Sequence, residues 1–314
     1  MFSGHVLALL APGQGSQTPG MFTPWLELDG TRERVAGWSE LTGLDLVELG
    51  TVADAEAIQD TSVTQPLVVA LALLAFEELE RRHELPADVL VAGHSVGELA
   101  AAAMAGALRA DDAVALAAVR GREMAGACAI ERTGMAAVMG GEPEQVVDWL
   151  AEFDLTPANR NGAGQIVAAG QLDKVDEMIA AKPEWVKKVI KLKVAGAFHT
   201  RFMASAKDAL GERAKKVVAT DPTRTLLSNA DGHAVTEGQD VLDRLVAQVT
   251  RPVRWDLCMA AMAERGVTAT AELPPAGTLT GLAKRELAGI TPVALKKPDD
   301  LAKVAALLDG EASA

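Results

Sequence analysis

Ser95 lies in Gly93-His94-Ser95-Val96-Gly97, between the strand-like run VLVAG (89–93) and the alanine-rich run ELAAAAMAGAL (98–108). Glycines two residues either side of a serine suit a sharp strand-to-helix turn, because side chains there would collide with the neighbouring strand and helix. Such a turn lifts the hydroxyl out towards a substrate, and the chemistry it offers is nucleophilic attack by a serine activated by a base. N–H groups at the start of the following helix, that of Val96 included, would point to where a tetrahedral oxyanion forms. The five-residue pattern also fits a structural turn with an incidental serine in a chain of 28 glycines, but the flanking periodicity favours the reactive turn. His94 adjoins Ser95, and neighbours around a tight turn seldom align for proton transfer. It is therefore expected to pack at the rim of a substrate pocket rather than act as the base.

The elements that must position this turn follow an α/β pattern. Strand-like VLALLAP (6–12) and VLVAG alternate with helical QPLVVALALLAFEELERR (65–82) and ELAAAAMAGAL, as in a mainly parallel sheet. Asp111 and Asp112 open a further helix with apolar residues at helical spacing, and Arg120 lies well inside it. From about residue 130 to 196 the texture changes to strand, helix, strand, strand, helix, strand, a βαββαβ unit of ferredoxin-like order. The simplest organisation is a small domain, 130–196, inserted into a larger one made of 1–129 and 197–314. The tail DGEASA is expected to fray.

Composition narrows the function classes. With 49% hydrophobic and 23% charged residues, 314 residues can bury a sizeable core. A net charge of −13 disfavours nucleic acid or anionic membrane as the main partner. The apolar stretches are expected to fall short of a membrane span, and the N-terminal apolar run lacks a basic flank and reads as a first buried strand. Cys128 and Cys258 are too few and too far apart for a disulfide framework or a metal cluster, which fits a reducing cytoplasm. The Gly13-Gln14-Gly15 turn has no third glycine at the spacing of a dinucleotide-binding loop.

Seven motifs occur in one order: APGQGSQTPGM at 11–21, TSVTQP at 61–66, GHSVGE at 93–98, RGREM at 120–124, GAFHTRFM at 196–203, LSNADG at 227–232 and VTRPVRW at 249–255. Together they resemble the malonyl-CoA:acyl-carrier-protein transacylases of bacterial fatty-acid synthesis and the acyltransferase domains of polyketide synthases. The resemblance runs nearly end to end. It implies an α/β-hydrolase-like large domain with a ferredoxin-like insert, and ping-pong transfer of malonyl from coenzyme A to acyl carrier protein, with no metal or redox cofactor. One departure falls at ELPPAGTLTGL (272–282), where Pro275 and Ala276 replace part of a Gly-Pro-Gly turn.

By the same resemblance, His199 is the base for Ser95 and is oriented by the backbone carbonyl of Gln248. A second buried carboxylate at that position would repel a malonyl substrate. Arg120 pairs with the free malonyl carboxylate, which a planar guanidinium can grip bidentately, while Arg122 faces elsewhere on its helix. Gln14 supplies a backbone N–H to the oxyanion beside Val96. Gln65 lines the substrate pocket with His94, and Phe198 crowds an α-methyl branch. Lys187, Lys188, Lys191 and Lys193 are candidates for a basic face towards an acidic carrier protein, although a solvated strand face fits them as well. A monomer suffices for all of this.

Overall fold

The computed structural model describes residues 5–309, and the expected fraying of the tail lies almost wholly outside them. In chain order the elements are β1 (Leu7–Ala11), α1 (Thr31–Thr42), α2 (Leu46–Thr51), α3 (Thr61–Arg82), β2 (Leu90–Gly93), α4 (Gly97–Met104) and α5 (Ala110–Cys128). There follow β3 (Thr133–Met139), α6 (Pro143–Ala151), β4 (Thr156–Gly162), β5 (Gln165–Gln171), α7 (Leu172–Ala180) and β6 (Lys188–Lys191). The chain ends with α8 (Ala204–Ala214), β7 (Thr225–Leu227), β8 (Ala234–Val235), α9 (Gly238–Gln248), β9 (Val253–Arg254), α10 (Trp255–Glu264), β10 (Ala269–Glu272), α11 (Thr278–Glu286), β11 (Thr291–Ala294) and α12 (Leu301–Leu308).

The first sheet has the order β11-β10-β1-β2-β7-β8, parallel except where β8 meets β7. All five residues of β1 are buried, because strand alternation sends Leu7, Leu9 and Ala11 into a core with α3, α4 and α5. Ala8 and Leu10 enter a second core with α10 and α11. A parallel sheet covered on both faces in this way needs a continuous apolar run in its central strand, and LALLA is one.

Helix α3 corrects one expectation. By length and composition it could cross a membrane, yet 83% of its apolar window is buried inside the fold. It is apolar nearly all round, and α5, α4 and α1 pack against it in the core. It also starts one turn earlier than its apolar run, at Thr61, since the Asp60 side chain accepts the Ser62 N–H (2.8 Å) and caps the end.

The second sheet has the order β6-β3-β5-β4-β9. Its first four strands come from one continuous stretch, with α6 and α7 packed through Val146, Trp149, Leu150, Val175 and Met178 on one face. The other face, with Met135, Ala137 and Val167, joins the main core and the cleft. β9 belongs to the later stretch but pairs parallel with β4, Asn159 opposite Val253, so this sheet is completed by a strand from outside the continuous stretch. The departure at 272–282 has a definite geometry: the buried Glu272 carboxylate accepts the N–H groups of Gly277 (2.8 Å), Leu279 (3.1 Å) and Thr280 (2.7 Å), capping α11.

Candidate active site

Ser95 sits between β2 and α4 with φ 54°, a left-handed conformation that a non-glycine residue adopts only when its surroundings enforce it. The enforcement is steric and polar. A Cβ on Gly93 would stand 2.1 Å from the Gly97 carbonyl, and one on Gly97 would stand 2.3 Å from the Ala11 oxygen, so only glycine lets β1, β2 and α4 close up here. Asn229, in the loop after β7, pins the bend from both sides: its Oδ1 accepts the Ser95 N–H (2.8 Å) and its Nδ2 donates to Gly93 O (2.8 Å). Replacing Gly97 by alanine is expected to cost at least ~3 kcal/mol, because the clash is with rigid backbone. Thermal unfolding of Gly97→Ala checks this, and an unchanged midpoint would mean that the turn relaxes.

His199 lies 104 residues further on in a loop held by Thr133 Oγ1, which accepts the Ala197 N–H (2.9 Å), and it too has a positive φ, 61°. Its Nε2 is 2.7 Å from Ser95 Oγ, and its Nδ1 is 2.8 Å from Gln248 O. A carbonyl can only accept, so Nδ1 carries the proton and Nε2 presents a bare lone pair to the serine hydroxyl. Burial, and after it the positive charge of Arg120, pushes the His199 pKa down to about 3. The imidazole is therefore neutral and able to accept a proton.

Arg120 projects from α5 and is only 2% exposed. Its Nη1 donates to Gln65 Oε1 (2.7 Å), while its Nη2 donates to Gln248 Oε1 (2.9 Å) and to Ser95 Oγ (3.3 Å). Two side-chain amides thus brace a buried cation beside the serine; burial lowers its pKa to about 10, which leaves it charged at neutral pH. Arg122, two residues on, is exposed and pairs with Glu123.

Ser95, His199, Arg120 and Gln65 open on one cleft of about 580 Å³ between the two sheets, also lined by Gln14, Val96 and Phe198. His94 lines it as well, its ring held by Nε2 2.8 Å from Asn161 Oδ1 and by an edge-on contact with Trp255 at 5.6 Å. Ser95, His199, Arg120, Gln14, Gln65, Val96, Phe198 and His94 therefore meet in one place, and Gln248 is joined to them through His199 and Arg120. Three groups were missed: the Gln248 side chain, Asn229 and Glu98. The last two stand inside the LSNADG and GHSVGE motifs, which is the signal that could have found them.

The four lysines do not form one face. Strand alternation puts Lys188 on the side of β6 towards the cleft, paired opposite Met139, and Lys191 on the helix side, where it bonds Asp176 (2.5 Å). Lys193, beyond the strand, reaches the cleft. Among the described residues, no cluster of three His, Cys, Asp or Glu could hold a metal.

A family model described as an acyl transferase domain matches residues 9–302. The chain is 57% identical, over 96% of its length and all of the relative's, to the malonyl CoA-acyl carrier protein transacylase of Mycobacterium bovis. It superimposes on a crystal structure of MCAT from Mycobacterium tuberculosis with TM-score 0.92 and 55% identity, covering 96% of this chain and 100% of that one. It also superimposes on a malonyl-transacylase solved in complex with a type II polyketide acyl-carrier protein, with TM-score 0.90 and 27% identity, covering 97% and 99%.

Proposed function

The chain belongs to the acyl transferase domain family, with the malonyl CoA-acyl carrier protein transacylases as relatives, and on that footing we propose that it carries malonyl from coenzyme A to acyl carrier protein through Ser95. The observation that carries the reading is a serine 2.7 Å from a neutral imidazole and 3.3 Å from a buried guanidinium. A plain serine hydrolase has no need of the guanidinium; an acyl group ending in a carboxylate does.

His199 Nε2 takes the Ser95 proton as Oγ attacks the thioester carbonyl, and the oxyanion is received by the N–H groups of Val96 and Gln14. Collapse breaks the C–S bond, and the imidazolium returns the proton to the departing coenzyme A sulfur. The second half runs in reverse: His199 deprotonates the carrier's phosphopantetheine thiol, sulfur attacks the Ser95 ester, and Oγ leaves with the proton. Attack, proton transfer and charge stabilisation all come from the chain, so the reading needs no metal or redox cofactor, and the site is complete within one monomer. Phe198 and His94 wall the acyl pocket; bulk at Phe198 disfavours an α-methyl branch by about 1–3 kcal/mol.

We read the first unit, 1–129 and 197–314, as an α/β-hydrolase-like domain and 130–196 as a ferredoxin-like insert, a reading supported by the βαββαβ connectivity and the order β6-β3-β5-β4. The phosphopantetheine arm would enter between them, and Lys188 and Lys193, the cleft-side members of the basic run, are the candidates to meet an acidic carrier protein. The cytoplasmic expectation travels with this reading.

Intact-protein mass spectrometry after mixing with malonyl-CoA tests it: a single malonyl adduct, discharged by added carrier protein, is the expected result. Discharge by water as fast as by carrier protein would make the chain a hydrolase, and no adduct would make it a non-catalytic module. A second measurement concerns the base. A lowered His199 pKa means the imidazole stays neutral until the pH approaches about 3, so Ser95 acylation by an acyl-CoA whose acyl group is uncharged should have no acid limb near the usual 6.5. A limb at the ordinary histidine value would mean that the imidazole is not desolvated. Bound malonyl would offset the Arg120 charge and make the imidazole more basic in the complex.

A further inference from the structure

Resting on that reading, we propose that Glu98 is a positioning residue: its buried carboxylate fixes the Gln248 amide with nitrogen towards itself and oxygen towards Arg120. In this way it holds the guanidinium where it selects an acyl group bearing a carboxylate. Glu98 stands on the first turn of α4, three residues after Ser95, and is 6% exposed beneath the bend. Its Oε1 accepts the Asn229 N–H (2.6 Å), and its Oε2 accepts Gln248 Nε2–H. The same Nε2 lies 3.1 Å from Ser95 O and 3.2 Å from Asn229 Oδ1, and Gln248 Oε1 accepts Arg120 Nη2 (2.9 Å).

A carboxylate only accepts and a guanidinium only donates, so a single orientation of the amide between them satisfies both. The flipped amide would set N–H groups against the guanidinium and oxygen against oxygen. Gln248 is also the residue whose backbone carbonyl orients His199, and Asn229 is the residue that pins the bend. Glu98 touches no substrate; it acts through these two.

The charged or titratable groups facing Glu98 are Arg120 from α5, Arg244 from α9 and Cys258 from α10. Arg244 is itself paired with Asp231 (2.9 Å) and Asp240 (2.8 Å), and burial pushes the Cys258 thiol up, so it stays neutral. Burial raises the Glu98 pKa to about 7, against the opposing pull of the Asn229 and Gln248 hydrogen bonds and the two arginines. A raised carboxylate pKa means protonation as the pH falls through that value, and a protonated carboxyl turns a donor towards donors.

The test compares Ser95 acylation by malonyl-CoA and acetyl-CoA as a ratio of kcat/KM, in which steps common to both substrates cancel. In the unsubstituted protein the ratio should fall by ~10-fold from about pH 8 to about pH 6, where neither a malonyl carboxylate nor Arg120 titrates. In Glu98→Gln one carboxamide end is an NH₂ facing Asn229 N–H or Gln248 Nε2–H. The ratio should there be lowered by ~10-fold or more at about pH 8 and lose its pH dependence. In an Arg120→Ala background the second substitution should not change the ratio further, a result that a merely structural glutamate would not give. A ratio kept by Glu98→Gln overturns the proposal. If that variant does not fold, the unsubstituted protein decides: a falling ratio supports the proposal and a flat one overturns it. Absence of any malonyl adduct in the unsubstituted protein would instead remove the acyl-transfer reading, and this inference with it, before Glu98 is touched.

Discussion

Ser95→Ala should form no malonyl adduct and should lower carrier-protein malonylation by on the order of 10⁴-fold or more, while leaving the fold intact. The size of the effect follows from the geometry. Ser95 Oγ is the atom held 2.7 Å from His199 Nε2, at a bend fixed by Gly93, Gly97 and Asn229 rather than by the hydroxyl itself. The hydroxyl can therefore be removed without loosening what surrounds it. Mass spectrometry reads the adduct and thermal unfolding reads the fold. A persistent adduct on the alanine variant would assign the nucleophile to another residue and break the link between the strained bend and the reaction.

Arg120→Ala should cost about 3 kcal/mol in transition-state stabilisation for malonyl-CoA, or ~100-fold in kcat/KM, because a buried charge-assisted pair loses one partner. Acetyl-CoA, which brings no carboxylate, should gain relative to malonyl-CoA and be transferred better than by the unsubstituted protein. The gain has a structural origin: removing the guanidinium relieves its repulsion of the His199 imidazolium, the second cause of the lowered His199 pKa. Presenting both thioesters together and measuring the acyl groups on the carrier protein checks the prediction. Undiminished malonyl preference would mean that Arg120 serves the fold and not the substrate.

Some of this was readable along the chain because it is set by short-range sterics. The bend at Ser95 depends on side chains within two residues of it, so GHSVG between a strand and a helix was enough. The alternation of two textures located both sheets, since the two- and 3.6-residue periods are properties of consecutive residues. Strand β9 escaped because two residues carry no period. Helix α3 shows a related limit: an apolar surface all round looks the same whether lipid or protein covers it, and the cover here is α5, α4 and α1.

His199 could be located from the residues matched in GAFHT, but its meeting with Ser95 is a matter of packing across 104 residues. The braces are further from legibility still. Gln248 was expected to contribute its carbonyl, yet its side chain also joins Glu98 to Arg120, a role that depends on three helices converging. The division of the lysines between the two sides of β6 follows from strand alternation once the strand's pairing is known. Local sequence thus set the reactive bend and the kinds of element around it. The partner of each polar group was left to the burial of those elements against one another, because in a low-dielectric interior each donor must find whichever acceptor the packing brings within reach.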